Sequence, residues 1–187
     1  MKKIVYTVLI LLVVGIFSVL QIVGLFEKNP YDYYIYRYSN SFNVDPMLIK
    51  AIMKKESNLN VDAMSTRGAV GLMQIMPKTA QEISNQLKVS NFSNNSLKDP
   101  EINIMFGVYY VSKLLNYYNN NLVLVLSAYN AGIGNVDKWQ NKQNKNIDLR
   151  IKDIPFNETK YYVKSIIFTY KVYKFFKFIS LMENNNK

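Results

Sequence analysis

The chain has 187 residues, 49% of them hydrophobic and 19% charged, enough for one domain with a sizeable core and something extra. Its formal net charge of +10 suits an anionic wall or membrane surface, while its scattered lysines, with no arginine cluster or basic repeat, argue against nucleic acid as a partner. It contains no cysteine and no histidine, which excludes thiol nucleophiles, disulfides, Cys/His zinc sites and any Ser-His-Asp triad, so acid–base work falls to Asp, Glu, Lys or Tyr.

Lys2 and Lys3 precede an uncharged run over residues 4–26. At about 1.5 Å per residue such a helix is roughly 34 Å long, enough to cross a hydrocarbon core of about 30 Å. The lysines stay cytoplasmic under the positive-inside rule, so the remainder is expected outside. A cleaved signal peptide is the rival reading, but its apolar core is usually shorter, about 7–15 residues, and ends in small residues. Here the exit, Ile22-Val23-Gly24-Leu25-Phe26, is bulky. The sequence therefore divides into a single-pass anchor at 1–28 and a soluble domain at 29–187.

Beyond Pro30 the pattern is helical with short breaks. Residues 31–40 form a tyrosine-rich helix. Asp45-Pro46 is a start signal, because Asp45 can cap and proline suits the first helical position. Met47, Leu48, Ala51 and Ile52 then recur at helical spacing toward Glu56. Pro77 opens another helix, residues 91–95 read as a polar loop, and Asp99-Pro100 opens a long helix with an apolar face. Residues 122–129 are almost wholly apolar and read as a buried helix that Gly132 and Gly134 break. A last, aromatic helix lies within residues 155–178. Its Phe175-Phe176-Lys177-Phe178-Ile179 stretch either packs on the domain or rests on a membrane.

Glu56 carries the chemistry. A glutamate at a helix end is ordinarily a solvated charge. Here Ile49, Ile52 and Met53 precede it and a glycine-containing segment with Met73 and Met76 follows. Apolar surroundings disfavour the carboxylate and raise its pKa, and a value near 6 leaves about a tenth of the molecules protonated at neutral pH, enough for a general acid. Most glycosidases need a second carboxylate. Asp45 and Asp62 are near in sequence but stand outside the motifs below.

Four segments follow one another: Glu56-Ser57; Ser65 with Gly68-Ala69-Val70-Gly71-Leu72-Met73-Gln74-Ile75-Met76-Pro77; Ala128-Tyr129-Asn130-Ala131-Gly132; and Glu158-Thr159-Lys160-Tyr161-Tyr162-Val163. In this order they resemble the lytic transglycosylases of the goose-lysozyme-like superfamily, over roughly residues 43–170. The resemblance implies a mainly α domain of the α+β lysozyme-like superfamily with a substrate cleft, acting on the glycan strands of peptidoglycan. It makes Glu56 the acid/base. It implies that Ser65 contacts the substrate acetamido group, Gln74 hydrogen-bonds sugar, Met76 and Tyr129 line the cleft, Asn130 braces it, and Tyr162 places its hydroxyl near the carboxylate. The family often has proline near Val61 and an aromatic near Leu59, departures that touch the cleft wall rather than the proton chemistry. No metal and no cofactor are implied.

Such an enzyme needs one carboxylate, because the substrate supplies its own nucleophile, the C6 hydroxyl of N-acetylmuramic acid. The rival readings are a goose-type hydrolase on the same fold, which needs an ordered water, and a non-catalytic glycan-binding protein that kept the cleft. The sequence names no protein partner. It places the catalytic domain on the wall side of the cell membrane.

Overall fold

The helices between residues 29 and 185 are α1 (Asp32–Phe42), α2 (Pro46–Ser57), α3 (Pro77–Leu87), α4 (Pro100–Tyr117), α5 (Leu122–Ala131), α6 (Ile133–Lys142) and α7 (Asn157–Asn185). They come from a computed structural model that describes residues 6, 7, 9, 10, 15, 29–142 and 149–185. The anchor expected over residues 4–26 and the boundary at 28/29 therefore lie largely outside the described residues. Among the described residues no helix is long and apolar enough to cross a membrane.

Helix α2 is the axis of the domain. Its start is local chemistry: the Asp45 carboxylate accepts the Met47 N–H at 2.8 Å, and Pro46 fills the first helical position. Met47, Leu48, Ile49, Ala51, Ile52 and Met53 are all buried, so the helix is apolar nearly all round and sits inside, with α1 and α7 packed against it. The one charge in that stretch, Lys50, is neutralised by Asp32 at 2.7 Å and lies 5.3 Å from the centre of the Tyr36 ring. Helix α4 starts in the same way as α2: Asp99 accepts the Ile102 N–H at 3.0 Å, ahead of Pro100. It packs on α1, α3 and α5, and α5 in turn packs on α6 and α7.

Four expectations need correction. Among the described residues there is no β-strand, only isolated antiparallel bridges between Met64 and Val70 and between Val70 and Ile75. The β part of the expected α+β class thus shrinks to one loop, residues 58–76, whose polar backbone is satisfied partly by its own backbone and partly by side chains. Gly132, at φ 85°, ends α5, but Gly134 breaks nothing: the Asn135 N–H reaches the Gly132 carbonyl at 3.2 Å and α6 is already under way. The polar stretch 91–95 tightens into a 3₁₀ turn at Asn94–Lys98, because Ser93 and Ser96 cap each other and Leu97 is buried beneath them. The last helix also runs further than expected, to Asn185.

The 58–76 loop is pinned to α4 by Asn103, which is fully buried. Its Nδ2 donates to the Val70 carbonyl at 2.9 Å and the Leu97 carbonyl at 2.8 Å, and its Oδ1 accepts the Met73 N–H at 2.8 Å. The loop can come this close only at a glycine. Gly71 has φ 80°, and a Cβ there would stand 2.3 Å from Asn103 Nδ2 and 2.7 Å from the Leu97 carbonyl oxygen. Met73 is seated likewise on Gly107, where an added Cβ would meet its sulfur at 2.2 Å.

Replacing Asn103 with leucine takes the side-chain partner from the Leu97 carbonyl and the Met73 N–H in the interior, while the Val70 carbonyl keeps the Ile75 N–H at 3.1 Å. At about 1–3 kcal/mol for each buried unsatisfied group, Asn103→Leu is expected to destabilise the domain by roughly 3–5 kcal/mol in urea unfolding. A loss under about 1 kcal/mol would mean that the loop holds without this clip.

Candidate active site

Glu56 occupies the last turn of α2, where the buried helix surfaces into a cavity of about 600 Å³. One wall is the 58–76 loop, contributing Ser65, Thr66, Arg67, Ala69, Gln74, Ile75 and Met76. The other is the end of α5, with Tyr129, Asn130, Ala131 and Gly132, together with Thr79 of α3, Tyr110 of α4 and Glu158 of α7.

The catalytic candidate is fixed from behind. The Tyr162 hydroxyl donates to Glu56 Oε1 at 2.5 Å, and Tyr162 is itself buried. Burial pushes the Glu56 pKa up from 4.5 to about 7; the Tyr162 hydrogen bond and the nearby Lys55 charge work the other way and lose. Burial first, and then the Glu56 charge, push the Tyr162 hydroxyl well above its ordinary value, so it stays a donor. The same two causes in the same order raise Tyr129. The site thus holds a carboxyl that is half protonated near neutral pH, oriented through one oxygen, with the other available to the cavity.

The side chains expected to meet substrate divide into two groups. Met76 is 41% exposed and lines the cavity. Tyr129 lines it too, but its hydroxyl is committed, donating to the Met73 carbonyl at 2.8 Å. Ser65 lines the cavity while its Oγ accepts the Ala69 N–H at 2.9 Å, closing its own turn. Gln74, at φ 48°, uses its amide nitrogen on the Ala63 and Gly71 carbonyls at 3.0 and 2.9 Å, which leaves its Oε1 rather than its NH₂ for a sugar. Asn130 accepts the hydroxyl of buried Thr159 at 2.7 Å, bracing α5 against α7. Tyr162 is not on the cavity wall; it stands behind Glu56.

Ser57, paired with Glu56 in the motif, donates to the Leu72 carbonyl at 2.8 Å and so ties the end of α2 to the loop. Asp45 and Asp62 do not reach the cavity: Asp45 caps the far end of α2, and Asp62 is exposed. Glu158, exposed at the start of α7, is the other carboxylate among the lining residues. Sequence reasoning passed over it, along with Arg67 and Tyr110. Glu158 sits inside a quoted motif, and Arg67 lies between Ser65 and Gly68 of another. Tyr110 lies in no motif and enters the wall only because α4 carries it to within 5.5 Å of Tyr129, ring centre to ring centre.

A frame that is helical among the described residues, with one raised glutamate at the head of a groove, is the geometry that comparison with known proteins now places. The family described as "Transglycosylase SLT domain" matches residues 33–151, and the chain belongs to this family. It is 35% identical to the soluble lytic murein transglycosylase of Escherichia coli K12 over 143 residues, 75% of this chain and 22% of that protein. It is 38% identical to the membrane-bound lytic murein transglycosylase C of Edwardsiella ictaluri over 109 residues, 54% of this chain and 30% of the relative. The crystal structure of the 70 kDa soluble lytic transglycosylase of Escherichia coli superposes with a TM-score of 0.74 at 34% identity, covering 79% of this chain and 24% of that one. A 70 kDa soluble lytic transglycosylase in complex with bulgecin A superposes with the same TM-score of 0.74. An inactive glutamate-to-glutamine mutant of the Pseudomonas aeruginosa lytic transglycosylase superposes with a TM-score of 0.68 at 34% identity, covering 75% of this chain and 23% of that one. The chain thus spans about a quarter or less of the larger relatives it matches.

A carboxyl whose pKa is raised on folding binds its proton more tightly in the folded state. Its burden on stability is therefore absent below about pH 4.5, grows as pH rises, and is complete above about pH 7. Glu56→Gln removes that burden. The variant is expected to melt above the parent at pH 8, by an amount corresponding to at most about 3 kcal/mol, with the gap closing toward pH 5. Equal melting temperatures at both values would place Glu56 in water.

Proposed function

We propose that this chain is a peptidoglycan lytic transglycosylase that cleaves the β-1,4 bond between N-acetylmuramic acid and N-acetylglucosamine. The observation that carries the reading is the raised, oriented carboxyl of Glu56 at the head of the cavity. The protonated Glu56 gives its proton to the glycosidic oxygen as the C1–O bond breaks, releasing the N-acetylglucosamine O4 as a hydroxyl. The cationic centre left at C1 of the muramic acid is supported by the 2-acetamido group. The C6 hydroxyl then attacks C1, its proton passes to the Glu56 carboxylate, and a 1,6-anhydro ring closes. The acid is regenerated, and neither water nor a second carboxylate is consumed. Ser65, Gln74, Met76, Tyr129 and Asn130 would shape the sugar subsites, with Gln74 acting as acceptor. Tyr162 keeps the carboxyl aimed.

One observation favours a second reading. Glu158 gives the cavity another carboxylate, and a carboxylate able to hold a water would make the domain a goose-type hydrolase. Product mass separates the two, since the anhydro product is one water lighter. As to location, the uncharged run over residues 4–26 behind Lys2 and Lys3 supports a single-pass anchor with the catalytic domain on the wall side.

Incubated with purified sacculi, the parent is expected to release anhydro-muropeptides, and Glu56→Gln to release them at least about a hundred-fold more slowly, as removal of a proton-transfer group does. Equal release by the two proteins would remove Glu56 from the mechanism. The rate should fall about ten-fold per pH unit well above pH 7, as the acid deprotonates. Tyr162→Phe deletes a hydrogen bond that favours the charged form, so the alkaline limb should move to higher pH while the maximal rate drops. A limb that stays in place would show that Tyr162 does not govern the proton.

A further inference from the structure

Helix α7 does two jobs in succession. Its first half packs into the domain through Tyr162, Val163 and Ile166, and Tyr173 is the last buried residue among the described ones. From there to Asn185 it runs on for about 18 Å. Its outer face is apolar: Phe168 is 70% exposed, Phe175 59%, Phe178 56% and Met182 51%. Tyr161, Phe168, Phe175 and Met182 recur every seven residues, so they form a single stripe along the helix. A helix side turned only to water does not keep such a row of large apolar groups.

Charge bears on what could cover the stripe. Lys164 and Lys171, both exposed, lie three residues beyond Tyr161 and Phe168 and so on the same side. Between Glu158 and Glu183 the sequence has five lysines and no acidic residue, and of these Lys174 pairs with Asp45 and Lys177 lies against Tyr36, while Lys164 and Lys171 stand beside the stripe. A second copy of the helix would set these lysines against one another. An anionic bilayer accepts the aromatic row in its interface and the lysines among its headgroups. Position agrees, because Lys177 lies 5.6 Å from the centre of the Tyr36 ring, so this part of α7 runs beside α1, the helix that follows the uncharged stretch of the sequence. We propose that the outer face of α7, centred on Phe168, Phe175 and Ile179, lies on the surface of an anionic membrane. The proposal needs neither an anchor at residues 4–26 nor glycan cleavage.

The natural lack of cysteine makes the test direct. The full chain carrying Ile179→Cys, labelled with an environment-sensitive fluorophore, is mixed with vesicles of equimolar phosphatidylglycerol and phosphatidylcholine or of phosphatidylcholine alone. The expected result is a blue-shifted label, quenched by nitroxide lipids in the anionic vesicles and far less so in the neutral ones. Each lysine near an anionic surface contributes about five-fold in partitioning, so Lys164→Glu with Lys171→Glu should cut the quenched fraction by ten-fold or more while melting temperature is kept. A label that stays in water when the protein sediments with the vesicles overturns the proposal, because binding then runs through another segment. Equal quenching in both lipids overturns the anionic assignment. A shift that grows with protein concentration in the absence of lipid makes the face an interface between copies, and the proposal fails.

Discussion

The domain is organised around the desolvation of one carboxyl. Glu56 stands at the end of a helix whose preceding residues, Ile49, Ile52 and Met53, are fully buried, so its charged form is stripped of the water that would stabilise it. That penalty would be relieved by any local fraying that let solvent in. Much of what surrounds the site is built to prevent this. Tyr162 closes the rear, Ser57 ties the helix end to the loop, and α7, which carries Tyr162, is packed along α2.

The loop opposite achieves rigidity without a sheet. Its carbonyls at Ala63, Val70, Gly71, Leu72 and Met73 are each taken by a side-chain donor: Gln74, Asn103, Gln74, Ser57 and Tyr129. Extended strands would have satisfied the same groups by pairing, but at the expense of the tight curvature that brings Met76 and Gln74 to the groove. The outcome is that several polar side chains of the motifs act first on the protein and only with their remaining atoms on a ligand. Gln74 shows this most clearly, since its amide nitrogen is already engaged twice.

Helix starts were legible because capping is local. Asp45-Pro46, Pro77 and Asp99-Pro100 each begin a helix where the sequence said one would. The apolar setting of Glu56 was readable too, from its neighbours one and two turns earlier. What the sequence concealed depends on contacts across long intervals. Asn103 is an ordinary residue in a helical pattern until its partners at Val70 and Met73, 33 and 30 residues away, come into view. Tyr162 was expected near the carboxylate. That it lies behind the carboxylate rather than on the wall follows from the approach of α7, which no local pattern encodes. Gly134 misled for the opposite reason: a glycine in the first turn of a helix is tolerated, and its neighbour Gly132 had already made the break.

Helix α2 bears a carboxylate at either extremity, and the two behave in contrary ways. Asp45 is partly buried, which works against its charge, yet Tyr170, the Met47 N–H and Lys174 outweigh that and hold its pKa below the ordinary value. It also sits where the backbone dipoles present their positive pole, whereas Glu56 faces the negative one. Partners at one end and burial at the other thus sort the pair into a carboxylate held charged and a carboxyl that takes up a proton, and the helix dipole favours the same division.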